Sequence, residues 1–517
     1  MISRHVMSVK NLSKNSIRVA LFCLVRSPFK LGSNSVELQY SLPYIYKSPP
    51  VKITATMDSK LHVVMFPWLA FGHIIPFLEL SKFLAQKGHK ISFVSAPRNI
   101  DRLPKIPSHL ATSITFVKIP LPKVEQLPES AEATMDIKNE DMPYLKKAFD
   151  GMETGLTRFL EDSAPDWILY DFAPHWLPPV AARLGISRAM FFIINAWFLA
   201  FLGPPDTMIY GSDERKRAED FMIPPKWIQF ETKAAYRRYE ANWIVGATRQ
   251  NESGFTDLYR TGKVVEGSEA VFIRHCNEFE PDWLKLLEEL YHKPVIPVGL
   301  MPPQVEEDYS QSWVSIKTWL DDQNKQSVVY VALGSEVTPS QDQINELALG
   351  LELSDVPFFW ALRKPSGSDD SYSVVLPDGF EERVKGRGMV WKSWAPQLKI
   401  LSHDSVGTFL THCGWGSFIE GLIYGLPLIA LPFLVDQGLN ARIIADKQVG
   451  LEIPKNDEDG SYTRNSVSNS IKLVMLENEG KKFRDRAKEM SPIFGDKNLH
   501  HRYIENFIKF LENHRIL

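Results

Sequence analysis

Short apolar runs alternate with amphipathic stretches along most of the chain. Residues 61–66 (LHVVMF) are almost continuously apolar, which is typical of a strand buried in a parallel sheet. Residues 76–87 carry apolar side chains at helical spacing, and Gly88 is placed to end that helix. A second apolar run at 90–94 completes a predicted βαβ unit, with a loop at 67–75 between its first strand and its helix.

The same alternation returns in the second half of the chain. The strands predicted there cover residues 327–333, 356–362, 406–410 and 427–434. In the first half, the last strand that we predict is 270–274 (AVFIR), and the proline-rich stretch 294–312 is predicted as a linker. Because this alternation of strands and helices occurs in both halves, we predict an α/β protein with twin Rossmann-like, doubly wound parallel sheets.

Three polar clusters follow predicted strands of the second half. They are 394–397 (WAPQ), 411–417 (THCGWGS) and 436–437 (DQ). The carboxyl ends of adjacent strands in an open α/β sheet line one crevice, which is where ligands bind. We therefore expect the clusters to converge on one site, where the Asp-Gln pair would suit sugar hydroxyls.

The residue types in these clusters suit a nucleotide that carries a diphosphate and a sugar. Gly416 and Ser417 begin a predicted helix, whose free N–H groups and dipole attract phosphate. His412 can donate a hydrogen bond to a phosphate oxygen. Trp394 offers a flat face for a base, and Glu420 offers an acceptor for ribose hydroxyls.

The 44 residues from Trp394 to Gln437 resemble the signature box of the plant UDP-dependent glycosyltransferases of secondary metabolism, in glycosyltransferase family 1. That box opens with Trp-Ala-Pro-Gln, closes with Asp-Gln and has the same length. The resemblance implies the GT-B fold, in which two Rossmann-like doubly wound parallel-sheet domains face each other across a cleft. It also implies that a UDP-sugar is a co-substrate and that no cofactor or metal ion is needed.

By this resemblance, the box contacts each part of a UDP-sugar. Trp394 and Ala395 are assigned to the base, and Glu420 is assigned to the ribose. His412 and Ser417 are assigned to the diphosphate. The sugar is assigned to Trp415, Asp436 and Gln437. Gln397 and Gly416 belong to the same donor-binding set. Ser335 is expected to approach the diphosphate from the domain interface.

One position departs from the usual pattern of the family. Most members have Asn where Gly416 stands, so one side-chain contact to phosphate is missing here. The Gly-Ser pair is similar to the branch that adds a sugar to an existing sugar, which includes rhamnosyltransferases. Gln437 goes with glucose more than galactose in the family, so glucose and rhamnose both stay open as the donor sugar.

His73 is the candidate general base. By resemblance, the base of the family lies in the first strand-to-helix loop, in a context similar to residues 71–76 (FGHIIP), and an Asp at a later strand end hydrogen-bonds it. We assign that second role to Asp171. A hydroxyl is a poor nucleophile at neutral pH, so the transfer requires a histidine to take its proton and a carboxylate to orient that histidine.

Two other residues compete for these roles. Asp166 precedes the same strand and is expected at the opposite end of the sheet, while His175 lies in the following loop, outside the motif. A lone histidine in a loop is more often a solvated or capping residue than a catalyst. The assignment of His73 therefore depends on its partner and on the resemblance.

The acceptor side of the site is less defined. Aromatic residues are concentrated in and beside 230–245, which we predict as a helix, and by position this region resembles the acceptor-lining part of the family. Each of these aromatic residues also fits ordinary core packing. Asn195 stands near a position where the family has a hydroxyl residue that touches the donor sugar, and a structural role at a turn is an equal alternative.

Bulk composition narrows the class of function. The chain has 517 residues, enough for two full cores, and its net charge of −3 gives no basic footprint for nucleic acid. Cys23, Cys276 and Cys413 are too few and too scattered for a disulfide framework, which fits a reducing compartment. No apolar run is long enough to span a bilayer. We expect a cytoplasmic monomer without stable membrane insertion.

The expected organisation has five parts. They are an N-terminal extension (1–56), an acceptor-binding Rossmann-like domain (57–293), the linker (294–312), a UDP-sugar-binding Rossmann-like domain (313–495) and a C-terminal helix (496–517) that packs back on the first domain. The extension is basic, with no acidic residue before Glu37, as in a transit peptide. Members of the family usually begin near Met57, so we favour a start there and expect disorder before it.

These observations favour an inverting UDP-glycosyltransferase that moves a hexose or deoxyhexose to a small hydroxylated acceptor, such as a flavonoid or terpenoid glycoside. The alternative is a catalytically silent nucleotide-sugar or small-molecule binding protein, which the presence of both His73 and Asp171 disfavours. A nicotinamide oxidoreductase would share the α/β pattern. However, no G-x-G-x-x-G follows the first strand.

Overall fold

The computed structural model describes residues 60–303, 310–334, 336–363 and 374–516. The predicted N-terminal extension, Ser335 and the middle of the predicted linker lie outside these described residues. Residues 58–517 group into one compact unit.

The first sheet has seven parallel strands. They are β1 His62–Phe66, β2 Lys90–Ser95, β3 Ile114–Lys118, β4 Trp167–Tyr170, β5 Ser187–Phe192, β6 Ala270–Ile273 and β7 Val295–Pro297. Their order is β3-β2-β1-β4-β5-β6-β7, so the direction of winding reverses between β1 and β4. A ligand crevice is expected at the carboxyl ends of the strands on either side of such a reversal.

The second sheet has six parallel strands and the same kind of reversal. They are β8 Val328–Ala332, β9 Phe358–Ala361, β10 Gly388–Trp391, β11 Val406–Thr411, β12 Leu428–Ala430 and β13 Gly450–Glu452. Their order is β10-β9-β8-β11-β12-β13, with the reversal between β8 and β11. The predicted pair of doubly wound parallel sheets is confirmed.

Helices connect the strands of both sheets. In the first half they are α1 Phe71–Gln86, α2 Pro97–Asp101, α3 Met142–Asp150, α4 Glu153–Ser163, α5 Leu177–Arg183, α6 Ala196–Leu202, α7 Pro205–Tyr210, α8 Arg238–Ala247, α9 Asp257–Gly267 and α10 Pro281–Tyr291. In the second half they are α11 Gln311–Asp321, α12 Gln341–Ser354, α13 Phe380–Arg383, α14 Gln397–Leu401, α15 Trp415–Ile423, α16 Gln437–Asp446, α17 Arg464–Met475, α18 Lys481–Gly495 and α19 Lys497–His514.

Helix α1 starts earlier than the sequence pattern predicts. It begins at Phe71 rather than at Pro76, and the N–H groups of His73 and Ile74 both donate to the Ala70 carbonyl at 2.8 Å. A proline often opens a helix, which is why the pattern indicated a start at residue 76. Here it lies inside the helix, where it removes one backbone donor. The prediction that His73 lies in a loop is therefore wrong, because it lies in the first turn of α1.

Three other elements differ from the predictions. Strand β3 lies in a stretch where no element was predicted, and α8 begins at Arg238 rather than at residue 230. Strand 270–274 is not the last of its sheet, because β7 follows within the stretch predicted as a linker. The prolines beside and within β7 indicated a linker, but β7 is an edge strand, where proline is tolerated.

Helix α19, at the end of the chain, packs on the first sheet. Its buried stripe joins the apolar side chains of β1, β4 and β6 in one cluster. The Phe507 and Phe272 rings meet edge to face with centroids 4.7 Å apart. The Trp167 indole Nε1 donates to the Leu511 carbonyl at 3.0 Å. The last helix thus completes the core of the sheet that the chain forms first.

Two kinds of feature are absent from residues 60–303, 310–334, 336–363 and 374–516. Among them, no helix has the length and apolar character needed to cross a membrane. In that same part of the chain, no group of three or more His, Cys, Asp and Glu side chains is arranged to hold a metal ion.

The packing of α19 leads to a stability prediction. Phe507→Ala removes a fully buried ring and should destabilise the protein by about 3–5 kcal/mol. The measurement is the urea midpoint followed by tryptophan fluorescence. Ile516→Ala is the control, because this side chain is 49% exposed and its loss should cost less than about 0.5 kcal/mol. Equal midpoints for the two variants would contradict the structural importance of α19.

Candidate active site

The carboxyl ends of the two sheets border a cavity of about 1020 Å³. Its wall contains most of the residues singled out in the sequence, namely His73, Trp394, Ala395, Gln397, His412, Trp415, Gly416, Ser417, Glu420, Asp436 and Gln437. The predicted convergence of the three polar clusters is therefore confirmed. The ligand that each residue contacts stays a prediction.

Asp171 follows β4 and lies behind His73, away from solvent. Its Oδ2 accepts a hydrogen bond from His73 Nδ1 at 2.7 Å and from the Trp68 N–H at 3.2 Å. Its Oδ1 accepts from the Phe172 N–H at 2.8 Å. A proton on Nδ1 of His73 makes Nε2 the acceptor nitrogen of the neutral ring. The carboxylate thus fixes both the ring orientation and the tautomer of His73.

Opposing effects set the pKa of His73. Burial lowers this pKa, but the charge and hydrogen bond of Asp171, with the charges of Glu336 and Asp436, raise it above its ordinary value. The imidazolium form is therefore stabilised at this position. A group that must accept a proton from a substrate benefits from that stabilisation.

A second cavity, of about 410 Å³, adjoins the first. His73 and Glu336 line both cavities. Most of the second wall is apolar and includes Trp68, Phe172, Phe192, Ile194, Phe198, Leu202, Ile244, Ala247 and Leu258. Lys146 and Asp257, which form an ion pair of 2.5 Å, add charged groups to it. An amphiphilic organic molecule fits such a wall.

The N-terminus of α15 faces the larger cavity. Gly416 and Ser417 lie in the first helical turn, where backbone N–H groups have no partner within the helix. The His412 ring is flanked by two glycines, since a Cβ on Gly334 or Gly414 would lie 2.7 or 2.6 Å from it. Burial lowers the pKa of His412 to about 4, so at neutral pH it is a neutral hydrogen-bonding group.

Glu420 is held by a chain of side chains from three elements. Gln397 Nε2 donates to Glu420 Oε2 at 2.5 Å, and the Tyr330 hydroxyl donates to Gln397 Oε1 at 3.1 Å. Burial raises the pKa of Glu420 above its ordinary value, although the bond from Gln397 opposes this. The orientation of the Glu420 carboxylate is therefore set before any ligand arrives.

Asp436 is oriented by two asparagines. Its Oδ2 accepts from Asn440 Nδ2 at 2.6 Å and from Asn195 Nδ2 at 3.2 Å, and burial raises its pKa to about 6. Asn195 also caps α6 by accepting from the Phe198 N–H, so it has the structural role left open by the sequence. Gln437 Oε1 accepts from two backbone N–H groups at 2.8 and 3.0 Å, which leaves its Nε2 as the donor.

The three other predicted box residues differ in how they meet the cavity. Trp394 is 64% exposed at the cavity wall, and Ala395 beside it is buried. Trp415 is buried, its indole Nε1 donates to the Arg274 carbonyl at 2.8 Å, and it packs edge to face on Trp197. That Trp415 contacts the sugar stays a prediction, and the structure shows which part of the residue is available for it. This indole is part of the core, and its position in the first turn of α15 leaves its backbone to face a ligand.

The competing residues occupy other places. Asp166 lies at the amino end of β4, where its Oδ2 accepts from the His62 N–H at 2.7 Å. His175 packs on Phe255 with ring centroids 4.1 Å apart and lines neither cavity described above. The structure therefore favours His73 and Asp171 over both.

Sequence reasoning missed three residues of this site. Glu336 lines both cavities and accepts from the Thr134 hydroxyl at 2.8 Å, Arg274 lines the larger cavity, and Asn440 orients Asp436. A signal existed for Arg274, since it is a cation at the end of an otherwise apolar predicted strand. No local signal marks Glu336 or Asn440, because Glu336 bonds to Thr134 and Asn440 bonds to Asn195, each more than 200 residues away in the sequence.

Comparisons with known proteins identify the family. A family model described as "UDP-glucoronosyl and UDP-glucosyl transferase" matches residues 303–502. UDP-glycosyltransferase 91D2 of Stevia rebaudiana is 53% identical over 466 residues, which cover 89% of this chain and 97% of the relative. The chain belongs to the plant UDP-glycosyltransferases. Members of this family transfer a sugar from a UDP-sugar to small molecules, and this UDP-glycosyltransferase is an enzyme of that class.

Two further relatives and one solved structure extend the match. Soyasaponin III rhamnosyltransferase of Glycine max is 43% identical over 89% of this UDP-glycosyltransferase and 97% of the relative. Anthocyanidin-3-O-glucoside rhamnosyltransferase of Petunia hybrida is 33% identical over 87% of this chain and 96% of the relative. The structure of Phytolacca americana UGT2 complexed with UDP-2fluoro-glucose and pterostilbene has a TM-score of 0.69 at 25% identity and covers 87% of this chain and 99% of that one. The GT-B fold and the likeness to rhamnosyltransferases are confirmed.

The His73–Asp171 contact leads to a titration prediction for this UDP-glycosyltransferase. We expect the His73 pKa to lie above its ordinary value and to fall in Asp171→Asn, because burial still lowers it while the main attractive charge is gone. The measurement is an NMR titration of labelled histidines, with His73 assigned from the spectrum of His73→Gln. His175, whose pKa is lowered by burial, should titrate alike in both proteins. An unchanged His73 titration would contradict the geometry.

Proposed function

We propose that this enzyme transfers a hexose or deoxyhexose, glucose or rhamnose, from a UDP-sugar to a hydroxyl of a small natural product, with inversion at the anomeric carbon. The observation that carries the proposal is the position of His73, which lies in the wall of both cavities. A base at that junction can reach a hydroxyl in one cavity next to a sugar in the other.

The larger cavity is assigned to the donor. Trp394 stacks on the uracil, Glu420 accepts from the ribose hydroxyls, and the N-terminus of α15 receives the diphosphate. Asp436 and Gln437 contact the sugar. The support is that hydrogen-bond acceptors, donors and a flat ring all lie in the wall of this one cavity. Ser335, assigned to the diphosphate from the sequence, is kept as part of this proposal.

The reaction is a single displacement. His73 Nε2 takes the proton of the acceptor hydroxyl while the hydroxyl oxygen forms a bond to the anomeric carbon. The bond from that carbon to the UDP oxygen breaks, and UDP leaves with the electron pair. Because the attack comes from the face opposite UDP, the anomeric configuration inverts. Asp171 stabilises the imidazolium that forms.

The charge that develops on UDP is met without a metal ion in this proposal. The free N–H groups in the first turn of α15 and the helix dipole attract the departing phosphate oxygens. His412 contributes a hydrogen bond as a neutral ring, which fits the lowering of its pKa to about 4 by burial. These neutral donors stabilise the charge that develops on the departing diphosphate.

The smaller cavity is assigned to the acceptor, which we propose to be a flavonoid or terpenoid glycoside. Its apolar wall suits a ring system, and Lys146, Asp257 and Asn251 offer partners for sugar hydroxyls. The names of two relatives support a glycosylated acceptor. One names soyasaponin III and the other an anthocyanidin 3-O-glucoside.

A screen of donors and acceptors tests the substrate assignment. The protein from Met57 would be incubated with UDP-glucose, UDP-rhamnose and UDP-galactose against flavonoid and triterpenoid aglycones and their monoglycosides. Mass spectrometry would detect added hexose or deoxyhexose, and NMR coupling constants would give the anomeric configuration. We expect transfer to monoglycosides, with inversion. Preference for aglycones or retention of configuration would contradict the corresponding part of the proposal.

The base assignment predicts a specific kinetic loss. His73→Ala should lower kcat by about 100- to 10,000-fold, the usual contribution of a general base, while leaving the Kd of UDP nearly unchanged. The matched control is His175→Ala. His175 lies in the loop after β4, close in sequence to Asp171, but it lines neither cavity. Transfer that survives in His73→Ala but disappears in His175→Ala would reverse the assignment. Tight UDP binding with no transfer by the wild type to any acceptor would favour the silent binding protein.

A further inference from the structure

Arg274 is a buried cation in the wall of the larger cavity. It follows β6, in the first half of the molecule, and is 7% exposed. Its Nε donates to the Leu300 carbonyl at 2.7 Å, and Nη2 lies 3.4 Å from the Met301 carbonyl. These contacts fix the guanidinium plane from one side, and the side chain lines the cavity from the other.

The charge of Arg274 has no ion-pair partner in the part of the chain that the structure describes. Its hydrogen bonds there go to two neutral carbonyls. Burial lowers its pKa to about 10, against the attraction of Glu420 and Glu79, so the group still carries its charge at neutral pH. A buried cation without a counter-ion is costly, and such a group is stabilised by an anion that enters beside it.

Gly416 leaves the space that an anion would need next to Arg274. Among the described residues, and apart from its chain neighbours and the adjacent backbone of its own helix, a Cβ built on Gly416 would have within 4 Å only Nη1 of Arg274, at 3.8 Å. Gly416 and Ser417 lie in the first turn of α15, where free N–H groups face the same space. A cation, a helix N-terminus and a missing side chain therefore meet at one point of the wall.

We infer that Arg274 binds the diphosphate of the donor and takes the place of the side chain that Gly416 lacks. Arginine suits this role because its planar guanidinium can donate two hydrogen bonds to phosphate oxygens. The inference deepens the proposed function and rests on its donor site. It also means that the first half of the molecule contributes a charged contact to a ligand held mainly by the second half.

The test compares ligands that differ only in phosphate. Binding of UDP, UMP and uridine to the full chain would be measured by calorimetry for the wild type, Arg274→Met and Arg274→Lys. We expect Arg274→Met to weaken UDP binding about 10- to 100-fold, the usual worth of a hydrogen bond to a charged group, and to leave uridine binding unchanged. Arg274→Lys keeps the charge without the planar pair of donors. Its UDP affinity should therefore lie between those of the wild type and Arg274→Met.

The control is Arg188→Met. Like Arg274, Arg188 donates through Nε to a backbone carbonyl, at 2.9 Å, but it lies outside both cavities and should leave UDP binding unchanged. Equal losses for UDP and uridine in Arg274→Met would overturn the inference in favour of a purely structural role. Unchanged UDP binding would overturn it as well. Failure of the wild type to bind UDP would instead overturn the donor site itself, and with it the inference.

A double-variant comparison tests the link between the two positions. Gly416→Asn should weaken UDP binding in the wild type, because the new side chain occupies the space between Arg274 and the ligand. In Arg274→Met the same substitution should cost less or restore affinity, since residues that share a partner are not additive. Equal fold-changes in both backgrounds would show that Gly416 and Arg274 act independently, which would overturn the claim that one replaces the other.

Discussion

All the hydrogen-bonding positions of the Asn440 side-chain amide are used, and they join the two halves of the molecule. Its Nδ2 donates to the Cys413 carbonyl at 2.7 Å and to Asp436 at 2.6 Å, within the second half. Its Oδ1 accepts from Asn195 at 2.8 Å and from Trp197 at 2.7 Å, in the first half. Because the group is fully buried, losing any partner would leave a polar atom unpaired at a substantial cost. This one amide therefore helps to hold the relative position of the two sheets, and with it the position of His73 against the second-half wall of the larger cavity.

Two histidines line the same cavity with opposite electrostatic surroundings. Carboxylates surround His73 and raise its pKa, whereas burial without a carboxylate partner lowers the pKa of His412 to about 4. One ring is thereby suited to take up a proton and the other to stay neutral beside phosphate. The two pKa values differ because the residues next to each ring differ. Asp171, which follows β4, contacts His73, whereas glycines flank His412. The same type of side chain thus has opposite pKa shifts within one cavity.

The sequence alone predicted the twin parallel sheets and eleven residues of the larger cavity's wall, because strand ends and the box motif are local features. It failed where geometry depends on distant partners. Pro76 resembled a helix start, although the helix begins at Phe71. Nothing in the local pattern indicated that the Trp415 indole donates to a carbonyl 141 residues away in sequence. Arg274 was placed in a strand without a role, because only the fold brings it beside Gly416.

The return of α19 to the first sheet has a consequence during synthesis on the ribosome. The apolar face that Phe507 and its neighbours cover is complete in sequence once β7 ends at Pro297, yet its cover emerges 210 residues later. At ordinary rates of translation this delay lasts roughly 10–40 s. Throughout that interval the nascent first half presents an uncovered apolar surface to its surroundings. Chaperones that hold nascent chains would therefore meet this protein at one defined face, and release from them would await the final helix.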